Sequence, residues 1–172
     1  YAASLSAIDA MLAKAKRKPP APQAIDTRRF RVALSFPGEH RPLVCAIADH
    51  LKNELGNDSV FYDNDYVAEL ARPNLDVLLQ RIYHENADLV VVFLCGDHNA
   101  KEWCGLECRA IRDILKQRRD ATVMLLRLDQ AQVPGLFGID GYIDVSAWTP
   151  AQTAEAIVKR LQSNDVSARH IG

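Results

Sequence analysis

The sequence predicts an α/β fold: one parallel sheet of five strands with helices on both faces. Two observations predict it. Strand-like and helix-like patterns alternate from Arg29 to Ser163, and alternation of this kind requires a parallel sheet joined by right-handed crossovers. The most apolar run, Leu89-Val90-Val91-Val92-Phe93-Leu94, does not alternate apolar with polar residues. It therefore fits a central strand buried on both faces.

The bounds are those of one globular domain with a modest appendage. The chain has 172 residues, 48% of them hydrophobic and 25% charged. That length can bury a sizeable core without disulfides. A formal net charge of −1 leaves the molecule without the electrostatic footprint of a direct nucleic-acid binder or of a protein that coats an anionic membrane. No apolar run approaches the roughly 20 residues that span a bilayer, and no signal-peptide pattern opens the chain. It opens on Tyr1 rather than Met, as expected of a piece of a longer protein. Cys104 and Cys108 lie four apart on one predicted helix, but no matching His or Cys pair completes a metal set. Cys45, Cys95, Cys104 and Cys108 are expected to be reduced, mostly buried thiols in a cytoplasmic protein without a metal or bound cofactor.

Residues 1–28 read as an appendage. Leu5, Ile8, Met11 and Leu12 give an amphipathic helix over residues 3–17, ending in the cations Lys14, Lys16, Arg17 and Lys18. Pro19-Pro20-Ala21-Pro22 follows as a stiff, extended linker. The domain runs from 29 to 163. Its first strand is Phe30-Arg31-Val32-Ala33-Leu34-Ser35-Phe36, broken at the turn dipeptide Pro37-Gly38. A helix from about Glu39 tolerates Pro42 in its first turn, buries Leu43, Val44, Ile47, Leu51 and Leu55, and stops at Gly56. Ser59-Val60-Phe61-Tyr62 is a short second strand. The segment from Asp63 to Pro73 is then long for a strand-to-helix loop, which marks it as a functional candidate.

Asn74 is placed to cap the next helix, which carries Leu75, Leu78, Leu79 and Ile82. Ala87 to Cys95 is the third strand, and a helix from Asn99 to about Arg119 follows it. Thr122 to Leu128 is the fourth strand, and residues 133–138 form a turn-rich connection. Tyr142 to Val145 is a short edge strand. Thr149-Pro150-Ala151-Gln152 reads as a capping box with Pro at the first helical position. The last helix buries Ala154, Ile157, Val158 and Leu161, and residues 164–172 read as a loose polar tail. The strand order expected for this series is the flavodoxin-like 2-1-3-4-5.

In open α/β sheets, ligands collect beyond the carboxyl ends of the strands. The segment Asp97 to Glu107 sits there, with Asn99 and Glu102 as a capping box. Glu107 is out of place, because its helical neighbours are Trp103, Cys104, Ala110 and Ile111. Several chemistries are excluded. The first strand-to-helix turn, Ser35-Phe36-Pro37-Gly38-Glu39, is not a Gly-rich phosphate loop. No serine sits in a nucleophile elbow. The third strand ends Leu94-Cys95-Gly96, without the aspartate of a phosphoacceptor.

Two readings of the segment remain on residue types alone. In one, Trp103 is a core residue and Glu107 reaches the helix edge. In the other, Trp103 stacks on a cationic ring while Glu107 meets ribose hydroxyls or a developing oxocarbenium ion. For an N-glycoside of nicotinamide one carboxylate suffices, because the leaving group departs neutral and needs no general acid.

Together these features resemble the Toll/interleukin-1 receptor (TIR) domain family in its bacterial form. The resemblance covers about residues 29–162 and rests on three stretches. They are Phe30 to Phe36 followed by Gly38-Glu39, the long segment after Val60-Phe61-Tyr62-Asp63, and Trp103-Cys104-Gly105-Leu106-Glu107. The last is similar to the W-C-x-x-E segment of the catalytic members. The resemblance implies an NAD glycohydrolase that releases nicotinamide and ADP-ribose or a cyclised variant. It assigns catalysis to Glu107 and places Trp103 near the nicotinamide. Phe36, Pro37, Gly38, Asp63 and Arg72 border the pocket, the last two from the segment that stands in the place of the family's BB loop. It further implies self-association and a role in bacterial antiphage defence, while the helix and Pro-rich linker before residue 29 suggest a tethered position beside a sensor domain or activating partner. The alternatives are a non-catalytic scaffold acting by TIR–TIR contacts, and an effector directed at a host.

Overall fold

β1 spans Phe30–Ser35 and lies inside a five-stranded sheet. β2, Val60–Phe61, flanks it on one side, and β3, Ala87–Leu94, on the other. β4, Val123–Arg127, and β5, Ile143–Asp144, complete the order 2-1-3-4-5, with all pairings parallel. This is the predicted order, with β5 at the edge. A computed structural model describes residues 24–95, 120–130 and 141–170. The expected amphipathic helix and Pro-rich linker, the segment carrying Trp103 and Glu107, and the connection 133–138 lie outside the described residues.

The period-2 side-chain pattern sorts the strands onto two cores. On one face Val32, Leu34, Leu89, Val91 and Phe93 meet Val44, Ile47 and Leu51 of α1, Arg41–Leu55. The same core takes Ala154, Ile157 and Leu161 from a helix starting at Pro150. On the other face Ala33, Phe61, Val90 and Val92 meet Leu78 and Leu79. β3 contributes buried residues to both cores, as its unbroken apolar run requires. A 3-10 turn, Gly38–His40, precedes α1, so the helix begins two residues later than its pattern suggests. Gly56 caps α1 at φ 96°, a conformation that favours glycine, and its N–H reaches Lys52 O at 2.8 Å.

The predicted long loop after β2 is ordered as helical turns. A 3-10 turn, Asp63–Tyr66, runs into the single turn α2, Val67–Leu70. Tyr66 fixes it. Its ring packs 5.6 Å from Phe61 and 5.7 Å from Phe30, and its hydroxyl accepts from Arg28 Nη1 at 3.2 Å. Asp65 adds an ion pair to Lys52 at 2.6 Å. α3, Leu75–Arg81, follows. Asn74 occupies the N-cap position but does not act as predicted: it is left-handed, at φ 58°, and makes no side-chain capping bond.

The packed chain extends past the expected bounds of 29 and 163 at both ends. Ile25 is buried, and the Asp26 carbonyl accepts from Asn86 Nδ2 at 3.0 Å, so residues just before 29 pack on the sheet. Residues 164–169 of the expected tail are helix: α4 runs Pro150–Arg169 without a break at 163. Polar composition misleads here because the polar residues have tertiary partners. Asp165 pairs with Arg31 at 2.6 Å, and Asn164 Nδ2 donates to Ala121 O at 2.6 Å. At the other end the capping box is present. Thr149 Oγ1 accepts from Gln152 N–H at 3.2 Å, and Gln152 Oε1 accepts from Thr149 N–H at 2.9 Å. Thr149→Ala is expected to cost about 1 kcal/mol, read as a lower urea midpoint with an unchanged slope.

Candidate functional site

Parallel strands deliver their carboxyl ends to one edge. β1 leaves the sheet into Phe36-Pro37-Gly38, β2 into Tyr62-Asp63, and β3 into Cys95. Phe36 lies flat against Tyr62, with ring centroids 5.7 Å apart and planes 23° apart. Both rings are buried. Pro37 is extended and also buried, whereas Gly38 is exposed, and a methyl group there would meet nothing within 4 Å. Gly38 thus leaves open room at the edge.

Arg41 covers the stacked pair. Its guanidinium carbon sits 5.1 Å from the Phe36 centroid and 6.0 Å from that of Tyr62, within the reach of a cation–π contact. The same guanidinium donates a fork to Asp63, Nη1 to Oδ1 at 2.6 Å and Nη2 to Oδ2 at 2.9 Å. The Asp63 bond holds Arg41 charged, raising it further above its already high range against the opposing effect of burial. Burial pushes the Tyr62 phenol up, the Arg41 charge pulls it back, and the half-buried Cys45 adds to the rise. The result is a neutral aromatic shelf under a fixed cation, with the first turn of α1 tied to the segment after β2.

Of the residues predicted to border a pocket, Phe36, Pro37, Gly38 and Asp63 come together at this edge. Arg72 does not. It pairs with Asp26 at 3.1 Å, and its Nε donates to Glu69 O at 2.6 Å. Asp26 stands just before β1, and its carbonyl is held by Asn86, just before β3. Arg72 is therefore at the amino end of the sheet. β1 lies between it and Phe36, a span of roughly 20 Å at about 3.3 Å per residue. The helical turns after β2 carry the chain back down the sheet, which a reading of the segment as an open loop did not anticipate. Trp103 and Glu107 lie outside the described residues.

Arg41 and Tyr62 are the functional candidates the sequence did not single out. Arg41 was hidden because it follows Pro37 by four positions, and only the 3-10 turn folds it back over Phe36. The same turn brings Glu39 and His40 beside Cys95, three metal-ligating groups at one edge.

A profile of the TIR domain family matches residues 32–162. The 3′ cyclic ADP-D-ribose synthase AaTIR of Aquimarina amphilecti is 32% identical over 135 residues, covering 78% of this chain and 41% of that protein. The chain thus spans less than half the length of this curated relative. No helix among the described residues is long and apolar enough to cross a membrane.

Proposed function

From the premise that this chain belongs to the TIR domain family, we propose that it cleaves the nicotinamide–ribose bond of NAD, giving nicotinamide and ADP-ribose or a cyclised variant. One observation carries the reading. Trp103-Cys104-Gly105-Leu106-Glu107 falls inside the matched region and follows the buried carboxyl end of β3, the position where this sheet type binds ligands. The similarity to a 3′ cyclic ADP-D-ribose synthase supports the same bond being broken here.

In this reading Trp103 contacts the nicotinamide ring, and Glu107 stabilises the positive charge that spreads over the ribose as the bond opens. Nicotinamide leaves neutral. Water or an adenine ring nitrogen then takes the anomeric carbon, which separates hydrolysis from cyclisation. Phe36, Pro37 and Gly38 border the pocket, and Arg41 with Asp63 is a positioning pair that keeps this border and the segment after β2 in one arrangement. Arg41→Ala is expected to slow nicotinamide release by about tenfold or more, since small losses of placement are costly in rate. Arg41→Lys should not restore it, because an ammonium cannot make the two-pronged contact with Asp63.

Activity depends on self-association, with the segment after β2 of one subunit completing the site of the next. Val67 on that segment supports this, being 61% exposed although apolar. The setting is antiphage defence, with a sensor or partner setting the degree of assembly. The test is nicotinamide release per molecule across a range of protein concentrations. A rise with concentration is expected. Association without release at any concentration would leave a scaffold that acts by TIR–TIR contacts alone.

A further inference from the structure

We propose that Glu39, His40 and Cys95 form a binding site for a soft divalent cation of the zinc type, at the carboxyl edge of the sheet. The inference stands apart from NAD cleavage and does not require it. Its basis is a convergence of three unlike ligand groups, two from the turn after β1 and one just beyond the end of β3. One ligand atom from each side chain lies within 4.8 Å of the other two. The strand register explains the meeting. β1 and β3 pair Ser35 with Val92, so continuing both chains in step brings Cys95 level with Gly38. The 3-10 turn Gly38–His40 then places Glu39 and His40 beside the sulfur.

The donor set selects the ion. A thiolate and an imidazole favour zinc over magnesium or calcium, which prefer all-oxygen shells. A tetrahedral zinc with bonds of about 2.0–2.3 Å holds its ligand atoms roughly 3.5 Å apart. The present spacing is wider by about an ångström, within reach of a rotamer adjustment of side chains this long. Glu39 is exposed and His40 half-buried, so these two can close on the ion, whereas Cys95 is buried and fixed at the end of β3. Three protein ligands leave a fourth position for water. Bound metal would clamp the turn after β1 to the end of β3, immediately before the segment that leads to Trp103 and Glu107.

Cobalt(II) is the probe, because a thiolate bound to it gives a charge-transfer absorption that zinc lacks. Titrating tag-free protein with cobalt should produce this band at one equivalent, and added zinc should bleach it. His40→Ala should weaken binding by more than about tenfold, and Glu39→Gln should weaken it measurably. Both changes sit on the surface turn and leave the core intact. Cys95→Ser should remove the band. The triple variant Cys45→Ser, Cys104→Ser, Cys108→Ser should keep it, which separates this site from the cysteine pair on the predicted helix. Zinc should also raise the melting temperature of the wild type, as any ligand of the native state does, and should not raise that of His40→Ala. A band absent from the wild type would overturn the site. So would one that survives His40→Ala unchanged and vanishes in the triple variant.

Discussion

Replacing Glu107 with alanine is expected to lower NAD turnover by on the order of 10³ or more. Nicotinamide departs from a ring that is already cationic, so the reaction asks little of acid–base groups and much of electrostatics. The sequence pattern predicts a carboxylate on an apolar helix stripe with Trp103, Cys104, Ala110 and Ile111, and in the proposed site such a charge would be weakly screened by water. Its charge is worth most as the ribose turns into an oxocarbenium ion. Glu107→Gln should fail nearly as completely, since a neutral amide keeps the shape and loses the charge. Both variants should stay folded, because a carboxylate among apolar neighbours contributes little to stability. Circular dichroism and a thermal scan beside the rate measurement check this. A Glu107→Ala protein with wild-type turnover would remove Glu107 from the mechanism and leave the site unassigned.

Phe93→Ala is expected to cost about 3–5 kcal/mol of folding stability. Phe93 is fully buried in β3, two residues before Cys95. Its ring belongs to the core shared by β1, α1 and α4, with Leu34, Val44 and Ile157 among its members. Truncation removes a large apolar contact and leaves a cavity in a sheet held by its neighbours, so little collapse can offset the loss. The urea midpoint should fall steeply. Val67→Ala, on an exposed side chain, should change stability by about 0.5 kcal/mol or less and serves as the control. A Phe93→Ala midpoint no lower than that of Val67→Ala would show that β3 is not the centre of the fold.

The fold was legible because its signals are local. An unbroken apolar run located β3, a strand-like run ending at Pro37-Gly38 located β1, helical spacing located α1, and the Thr149–Gln152 capping box located the start of α4. What escaped depends on partners far away in sequence. Residues 164–169 read as a loose tail because they are polar, yet Asp165 finds Arg31 and Asn164 finds Ala121. Arg72 read as a pocket residue because it ends the segment after β2, but its ion pair with Asp26, 46 residues away, holds it at the opposite end of the sheet. Asn74 has the residue type of a helix cap and adopts a left-handed turn instead.

The candidate site was legible in part for the same reason. Phe36, Pro37, Gly38 and Asp63 were named by the family resemblance and lie at strand ends, which a sequence pattern locates; that they border a pocket stands as a proposal. Arg41 was not legible in this way, since its place over Phe36 depends on a 3-10 turn and on a carboxylate from another strand. Trp103 and Glu107 were singled out by helical spacing and by family resemblance, and their roles stand as proposals.

The most direct test of the account is product chromatography after incubating NAD with the concentrated domain. Nicotinamide should appear together with an equal amount of ADP-ribose or a cyclised ADP-ribose, and neither should form with Glu107→Ala. NAD left intact at concentrations where the domain demonstrably self-associates would contradict it.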